Sequence, residues 1–335
     1  MNRWEKIKAI DKALMQLKHH EKECHLCPRE CRIDRSQNEL GFCQTGCQAK
    51  LSHALIHFGE EPLLSGLEDC SQKINKGKGK EKIRSGSGAL FFAGCNLKCL
   101  FCQNYQLSWE NSGITVTDEK IAEKMLYLEK KGVLNINLVS PTHIILPILK
   151  ALKIALQKGL NLPIVYNSNG YEKAETIRNL EGIIDIYLPD LKYFNSQTSK
   201  RFSSAGDYFK FAADTLREMY RQQPELVLDG EGIALKGLII RHLVLPNNIE
   251  ESFNLLDFIA HEISTDVCVS LMSQYYPCFQ APSEINRQLS VKEYKKVLLH
   301  GQRLGFTTLF IQTASFEKKE HKLPDFKKDK PFIWD

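Results

Sequence analysis

No stretch of this 335-residue chain approaches the roughly 20 consecutive apolar residues that a membrane-spanning helix needs. The first 23 residues carry charge throughout and have no apolar centre, so a secretory signal is not expected either. Charge of one sign is also scarce. The 45 Lys and Arg against 40 Asp and Glu leave a formal +5, which does not point to nucleic acid, because a dedicated binder concentrates far more basic charge on one face. Internal repeats are absent beyond an alternation of strand-like and helix-like runs. Cysteine, by contrast, is abundant. Eleven cysteines without a secretory signal read as a cytoplasmic, reducing setting in which thiols bind metal rather than pair. The length allows a large core, and the composition is that of a soluble globular protein.

Five stretches follow one another. In residues 1–23, Trp4, Ile7, Ile10, Ala13, Leu14 and Leu17 recur at helical spacing and predict an amphipathic helix. Residues 24–50 hold Cys24-His25-Leu26-Cys27-Pro28-Arg29-Glu30-Cys31, then Gly41-Phe42-Cys43 and Cys47. So few aliphatic residues cannot build a core, and a metal staple is the usual remedy. Cys24, Cys27, Cys31 and Cys43 are the natural quartet, with Cys47 spare; thiolates suit zinc and a second iron–sulfur cluster equally. Residues 51–87 form a linker with a strand-like run, Ala54 to Pro62, and a basic insertion carrying Lys73, Lys76, Lys78, Lys80, Lys82 and Arg84. That insertion reads as solvated, or as a contact for an acidic protein or RNA, and Cys70 beside it as a surface thiol.

Residues 88–313 alternate strand-like runs (Leu90–Ala93, Asn135–Val139, Leu162–Tyr166, Ile183–Leu188, Leu238–Leu245, Val267–Met272, Thr307–Ile311) with helical patterns. Short buried strands separated by helices imply βα units and a parallel sheet. The expected fold is therefore α/β, a partial (β/α)6-type TIM barrel with an N-terminal cysteine-rich segment, and its functional residues belong at the carboxyl ends of the strands. Residues 314–335 form a charged tail.

The first strand runs straight into Gly94-Cys95-Asn96-Leu97-Lys98-Cys99-Leu100-Phe101-Cys102-Gln103-Asn104. A tight C-x3-C-x2-C loop brings three sulfurs to one centre. A cluster ligated wholly by protein uses four cysteines, so three leave one iron open, as in a reactive rather than a structural metal centre. The alternative is zinc completed by a distant cysteine or histidine. Other strand ends supply Ser140-Pro141-Thr142-His143, Asn167-Ser168-Asn169-Gly170, Asp190-Leu191-Lys192, Arg241-His242 and Met272-Ser273-Gln274-Tyr275, which together make a rim suited to an active site. His143 and His242 read as structural hydrogen-bonders and Cys268 as core. Cys278 could ligate, donate a hydrogen atom or fill space.

The C-x3-C-x2-C loop after a first strand resembles the signature of the radical S-adenosylmethionine (SAM) superfamily. Together with Cys24-x2-Cys27-Pro28-Arg29-x-Cys31 and the rim motifs, it is most similar to the pyruvate formate-lyase activating enzyme group, in a branch with an N-terminal cysteine-rich segment. The resemblance implies a [4Fe-4S] cluster on Cys95, Cys99 and Cys102 that cleaves SAM reductively to a 5′-deoxyadenosyl radical, which abstracts hydrogen from substrate. It implies an electron donor such as flavodoxin or ferredoxin and a peptide or protein substrate, with a small molecule or RNA as the alternative. A non-catalytic metal-binding interaction module is the reading from another class. SAM's ribose, carboxylate and ammonium make Ser140, Thr142, Ser168, Asn169, Asp190, Lys192 and Arg241 its expected contacts. The superfamily's Gly-Gly-Glu at the second strand end is replaced here by Ser140-Pro141-Thr142.

Overall fold

The computed structural model describes residues 2–66, 85–311 and 323–332. Cys70 and the basic run Lys73–Arg84 lie outside the described residues. In chain order the elements are α1 (Arg3–Leu17), β1 (Ala49–His57), α2 (Pro62–Ser65), β2 (Ser87–Phe92), α3 (Tyr105–Ser108), β3 (Ile114–Val116), α4 (Asp118–Lys130) and β4 (Ile136–Val139). There follow α5 (Ile145–Gln157), β5 (Ile164–Ser168), α6 (Ala174–Arg178), β6 (Ile186–Pro189), α7 (Ser196–Ser203), α8 (Tyr208–Gln222), β7 (Val227–Leu228) and β8 (Ala234–Leu243). The last are α9 (Ile249–Phe258), β9 (Cys268–Met272), α10 (Val291–Leu304) and β10 (Leu309–Ile311).

Local chemistry sets many of these boundaries. Asn2 and Glu5 close a reciprocal capping box on α1, and Ser290 and Glu293 do the same on α10, each satisfying orphan N–H groups of the first turn. Gly305 takes the left-handed conformation that ends α10. Thr117 caps α4, and Asp118 and Glu119 then place negative charge in its first turn.

Seven strands, β2, β4, β5, β6, β8, β9 and β10, pair in parallel in the order in which they occur. Successive crossovers therefore all step the same way. Because such crossovers are right-handed, the helices gather on one face and the sheet curls around the other, giving a partial barrel. The expected α/β barrel is observed with two additions. β1 lies antiparallel along β2, and β3 antiparallel along β1, on the edge where the series was expected to begin.

Strand alternation separates the two faces. Leu90, Phe92, Ile136, Leu138, Ile164, Tyr166 and Ile240 join α1, α4, α5 and α8 in the main core. The opposite residues, Val165, Ile186, Leu188, Ile239 and Cys268, meet Leu63 and Leu64 of α2, which plugs the barrel from below. Cys268 is thus core, as expected. Among the described residues no strand joins β10 to β3, so the sheet stays open. Phe326 and Phe332 of the tail pack against Phe91 of β2 at ring separations of 5.2 and 5.5 Å. No helix among the described residues is long and apolar enough to cross a membrane.

Candidate functional site

The cysteine loop leaves the carboxyl end of β2 through Gly94, whose φ is +87°. A Cβ there would sit 2.6 Å from the Cys43 carbonyl oxygen and 2.9 Å from Nε2 of His143, so only glycine lets the N-terminal segment come this close. Each of the three sulfurs then accepts a hydrogen bond. Asn169 Nδ2 donates to Cys95 Sγ at 3.3 Å, Ser203 Oγ to Cys99 Sγ at 2.9 Å and Ser108 Oγ to Cys102 Sγ at 3.2 Å. The Leu97 N–H adds a second bond to Cys95 at 3.4 Å. Burial pushes the Cys95 thiol up to about 11, the Cys102 thiol up to about 12, and Cys99 upward as well. Sulfurs so buried and so supplied with donors fit cluster-bound thiolates: a metal cluster provides the positive charge, and the donors meet the sulfur lone pairs. Cys278 differs, because its Sγ donates to the Phe101 carbonyl at 3.3 Å and so behaves as a neutral thiol.

The loop is locked to the rim. Asn96 donates to the Tyr171 carbonyl at 2.6 Å and accepts from Asn169 at 2.7 Å, and Lys98 reaches the Ser108 carbonyl at 2.5 Å. Gly170 has φ +79°, and a Cβ on it would meet the Asp190 carbonyl oxygen at 2.1 Å, which holds the ends of β5 and β6 together. Lys192 Nζ lies 2.6 Å from Asp190 Oδ2. Burial works against the lysine's charge, but Asp190 and Cys99 outweigh it and raise its pKa.

Of the seven expected SAM contacts, the structure brings Asn169, Asp190 and Lys192 together beside the cysteine loop, and Ser140 sits at the end of β4 with φ +56°. Two point elsewhere. Thr142 donates to the buried carboxylate of Glu172, and Ser168 is drawn to the same group. Ser168 follows Ile164 and Tyr166 on the helix-facing side of β5, so strand alternation turns it away from the rim. Arg241 is committed to carboxylates: Glu60 at 3.3 Å, Glu61 at 3.5 Å and Asp190 at 3.7 Å. Its charge is already matched, which removes it as the partner of a SAM carboxylate. His143 Nε2 meets the Ala93 carbonyl at 2.9 Å, and His242 bridges the Leu191 carbonyl and Ser252. Burial lowers both imidazoles to about 4, so they are neutral structural groups.

The N-terminal segment holds its sulfurs differently. Arg35, 5 % exposed, directs Nε to Cys24 Sγ at 3.2 Å and Nη2 to Cys43 Sγ at 3.5 Å. Its Nη1 spans the Gly46 and His143 carbonyls. Contact with Cys31 and then the arginine hold the Cys24 thiol down at about 5, while burial pushes Cys27 up to about 12. Cys31 lies in the same group, within van der Waals reach of Gly41. Cys47 is exposed, and among the described residues its sulfur meets Asn38 at 3.6 Å. Among the described residues, no three His, Cys, Asp or Glu side chains are gathered as a single-ion site.

Sequence reasoning missed the sulfur donors Ser108 and Ser203, the buried Glu172 and Arg35, and the Glu60–Glu61 pair. None lies in a cysteine motif, and each meets its partner only through the fold. Above the rim, Tyr105, Tyr276, Cys278, Phe279, Pro324 and Lys327 line part of a cavity of about 720 Å³ between the cysteine loop and the tail.

With this geometry in view, comparison with known proteins is informative. Residues 90–231 match the model of the Radical SAM superfamily. The chain belongs to the radical SAM superfamily of enzymes, whose members imply a [4Fe-4S] cluster and SAM. Among its relatives, it is 31% identical over 300 residues to the uncharacterized protein MJ0674 of Methanocaldococcus jannaschii, covering 86% of this chain and 77% of that one. It is 24% identical to MJ0808 of the same organism, covering 84% and 81%. It is also 26% identical to a 7-carboxy-7-deazaguanine synthase of Clostridium acetobutylicum, covering 42% and 66%. Among solved structures, SuiB of Streptococcus suis bound to S-adenosylmethionine matches at a TM-score of 0.43 and 14% identity, over 66% of this chain and 45% of that one. Methylornithine synthase PylB matches at 0.43 and 18%, over 62% and 59%. The chain thus spans less than two thirds of either solved protein.

Proposed function

We propose that this chain, within the radical SAM superfamily, acts on a peptide or protein substrate, as an activase or a side-chain-modifying enzyme. The observation that carries the site assignment is that Cys95, Cys99 and Cys102 each accept a hydrogen bond at sulfur from Asn169, Ser203 or Ser108. When bound, the cluster and SAM supply one-electron cleavage of the sulfonium and a carbon radical able to take hydrogen from substrate. The protein's own work is positional. Cys95, Cys99 and Cys102 would hold the cluster, and the cluster would bind SAM. Asn169 steadies both Cys95 and Asn96, and Ser140, Asp190 and Lys192 are left to orient SAM. The Lys192–Asp190 pair keeps a cation next to Cys99.

The cavity framed by Tyr105, Tyr276, Phe279 and the tail is large and aromatic enough for an extended peptide, and it supports a macromolecular substrate. A small-molecule substrate is the second reading, favoured by the partial similarity to 7-carboxy-7-deazaguanine synthase. Residues 24–50 act in this scheme as a second metal unit held by Cys24, Cys27, Cys31 and Cys43, and the reductant is a protein such as flavodoxin or ferredoxin.

The test is anaerobic. Protein reconstituted with iron and sulfide is reduced with dithionite, mixed with SAM and assayed for 5′-deoxyadenosine. Formation of that product, and deuterium transfer into it from a labelled peptide library rather than from labelled small molecules, is the expected result. A fully loaded, reduced protein that yields no 5′-deoxyadenosine overturns the reading.

A further inference from the structure

Between Cys27 and Cys31 of the N-terminal segment lies Arg29, which has no part in the site described above. It occupies the third position of a turn, Cys27-Pro28-Arg29-Glu30, closed by the Glu30 N–H on the Cys27 carbonyl at 3.1 Å. Pro28 at the second position presets the backbone of that turn. The Arg29 side chain then leaves its own segment. Nε donates to the Asn96 carbonyl of the cysteine loop at 2.9 Å. Nη1 donates to the Ser204 carbonyl, and Nη2 to the Ser203 carbonyl at 3.4 Å, both at the end of α7. The guanidinium carbon lies 3.8 Å from the centre of the Phe42 ring and 5.0 Å from that of Tyr171. Every hydrogen bond that Arg29 makes among the described residues ends on a backbone carbonyl.

The two parts it joins are those that supply the loop sulfurs. Asn96 follows Cys95, and its side chain is locked to Asn169, the donor to Cys95. Ser203 is the last residue of α7, and its hydroxyl is the donor to Cys99 at 2.9 Å. With that proton committed to sulfur, the Tyr193 hydroxyl, 2.7 Å away, is the donor to Ser203. A helix end leaves its last carbonyls without partners inside the helix, and α7 ends at Ser204 with φ +56°. The loop meets two of these carbonyls itself, Leu100 N–H on Phe202 at 2.9 Å and Lys98 N–H on Ser203 at 3.3 Å. Arg29 ties the rest. A planar guanidinium reaches several carbonyls at once in a fixed geometry, whereas a lysine ammonium carries the same charge at one point.

We propose that Arg29 is a positioning residue of the loop cluster: it clamps the loop at Asn96 to the end of α7 and so holds the Ser203 hydroxyl on Cys99. The N-terminal segment thereby sets the hydrogen bonding of a sulfur it does not ligate beside, and with it the cluster's reduction potential. The inference rests on reading Cys95, Cys99 and Cys102 as the cluster site.

The test is an EPR-monitored redox titration of the reconstituted full chain, read on the signal that Cys95→Ala removes. Arg29→Lys keeps the charge and loses the fork. It should lower the midpoint potential in the same direction as Ser203→Ala and by a comparable shift, with iron per chain unchanged. Arg29→Lys combined with Ser203→Ala should fall no further than Ser203→Ala alone, because both act on one hydrogen bond. A wild-type potential in Arg29→Lys overturns the proposal, since charge alone then suffices. Additive shifts in the double variant overturn it as well. Should Arg29→Lys fail to fold, Phe42→Leu takes its place: it keeps the guanidinium and removes the ring at 3.8 Å. A smaller shift of the same sign is then expected, and an unchanged potential overturns the proposal. Wild-type protein that takes up no iron on the loop sinks the reading of the site. A loaded loop whose potential ignores Arg29 sinks this inference alone.

Discussion

In the loop after β2 every sulfur accepts from a neutral group, a hydroxyl, an amide or a backbone N–H, whereas in the N-terminal segment two sulfurs share the charge of one buried arginine. Neutral donors leave the loop's net charge free to change, which suits a centre that takes up an electron. A fixed guanidinium between Cys24 and Cys43 stabilises one charge state and knits the segment to the barrel through the Gly46 and His143 carbonyls. The first arrangement is suited to turnover and the second to holding a shape. The two regions still touch, since the Cys43 carbonyl lies against Gly94.

The sharpest way to break this contrast is to delete the loop sulfurs. Cys95→Ala, Cys99→Ala or Cys102→Ala should abolish 5′-deoxyadenosine formation and remove about four irons per chain, while metal on residues 24–50 persists. Iron counts and product chromatography on the same preparation check both. Removing the other set, with Cys24→Ala or Cys27→Ala, should strip metal from the N-terminal unit and leave the EPR signal of the reduced loop cluster in place. Loss of zinc identifies a structural ion, and loss of about four irons a second cluster.

Arg35→Leu should cost about 3 kcal/mol, because it leaves two buried carbonyls and two buried sulfurs without their donor. Chemical denaturation of the reconstituted protein measures it. A change under about 0.5 kcal/mol would end the idea that the arginine knits the segment in place. Glu172, which lies between the regions and beside Cys27, gives a pH test of similar size. Burial raises its pKa to about 7, above the value in an unfolded chain. Its contribution is therefore complete below about pH 4.5 and lost as pH rises through 7, a fall of about 3 kcal/mol. Glu172→Gln should flatten that slope in melts between pH 5 and 8. The smallest expected effect is Ser203→Ala. With its hydrogen bond to Cys99 gone, the loop cluster's midpoint potential should drop by about 30–60 mV without change in iron content. An unchanged potential would mean that the neutral donors do not tune the centre.

Much of this was readable in the chain, and the misses share a cause. The alternation of strands with helices follows from hydrophobic pattern alone, and C-x3-C-x2-C is a local motif, so both could be read directly. Asn167-Ser168-Asn169 could not be divided from spacing, because which residue faces the rim depends on the register of β5; the fold turns Ser168 toward Glu172. Arg241 looked available until Glu60, 181 residues away, met it inside the barrel. Ser203 has no signature at all: it matters only because α7 ends over Cys99. Long-range partners of buried polar groups are the part of a site that sequence pattern conceals.

The seat of the tail has a mechanical meaning. Residues 323–332 are held against β1, β2 and α3 by two phenylalanine rings on Phe91, a Lys328 carbonyl held by His53, and the Gln106–Asp325 and Gln106–Phe326 bonds, with no backbone ladder to the sheet among the described residues. Such a seam unzips for the cost of a few side-chain contacts while every strand pairing stays intact. Amide exchange should accordingly be fast along 323–332 and slow in β2, making the tail a replaceable gasket and the parallel strands the rigid vessel it seals.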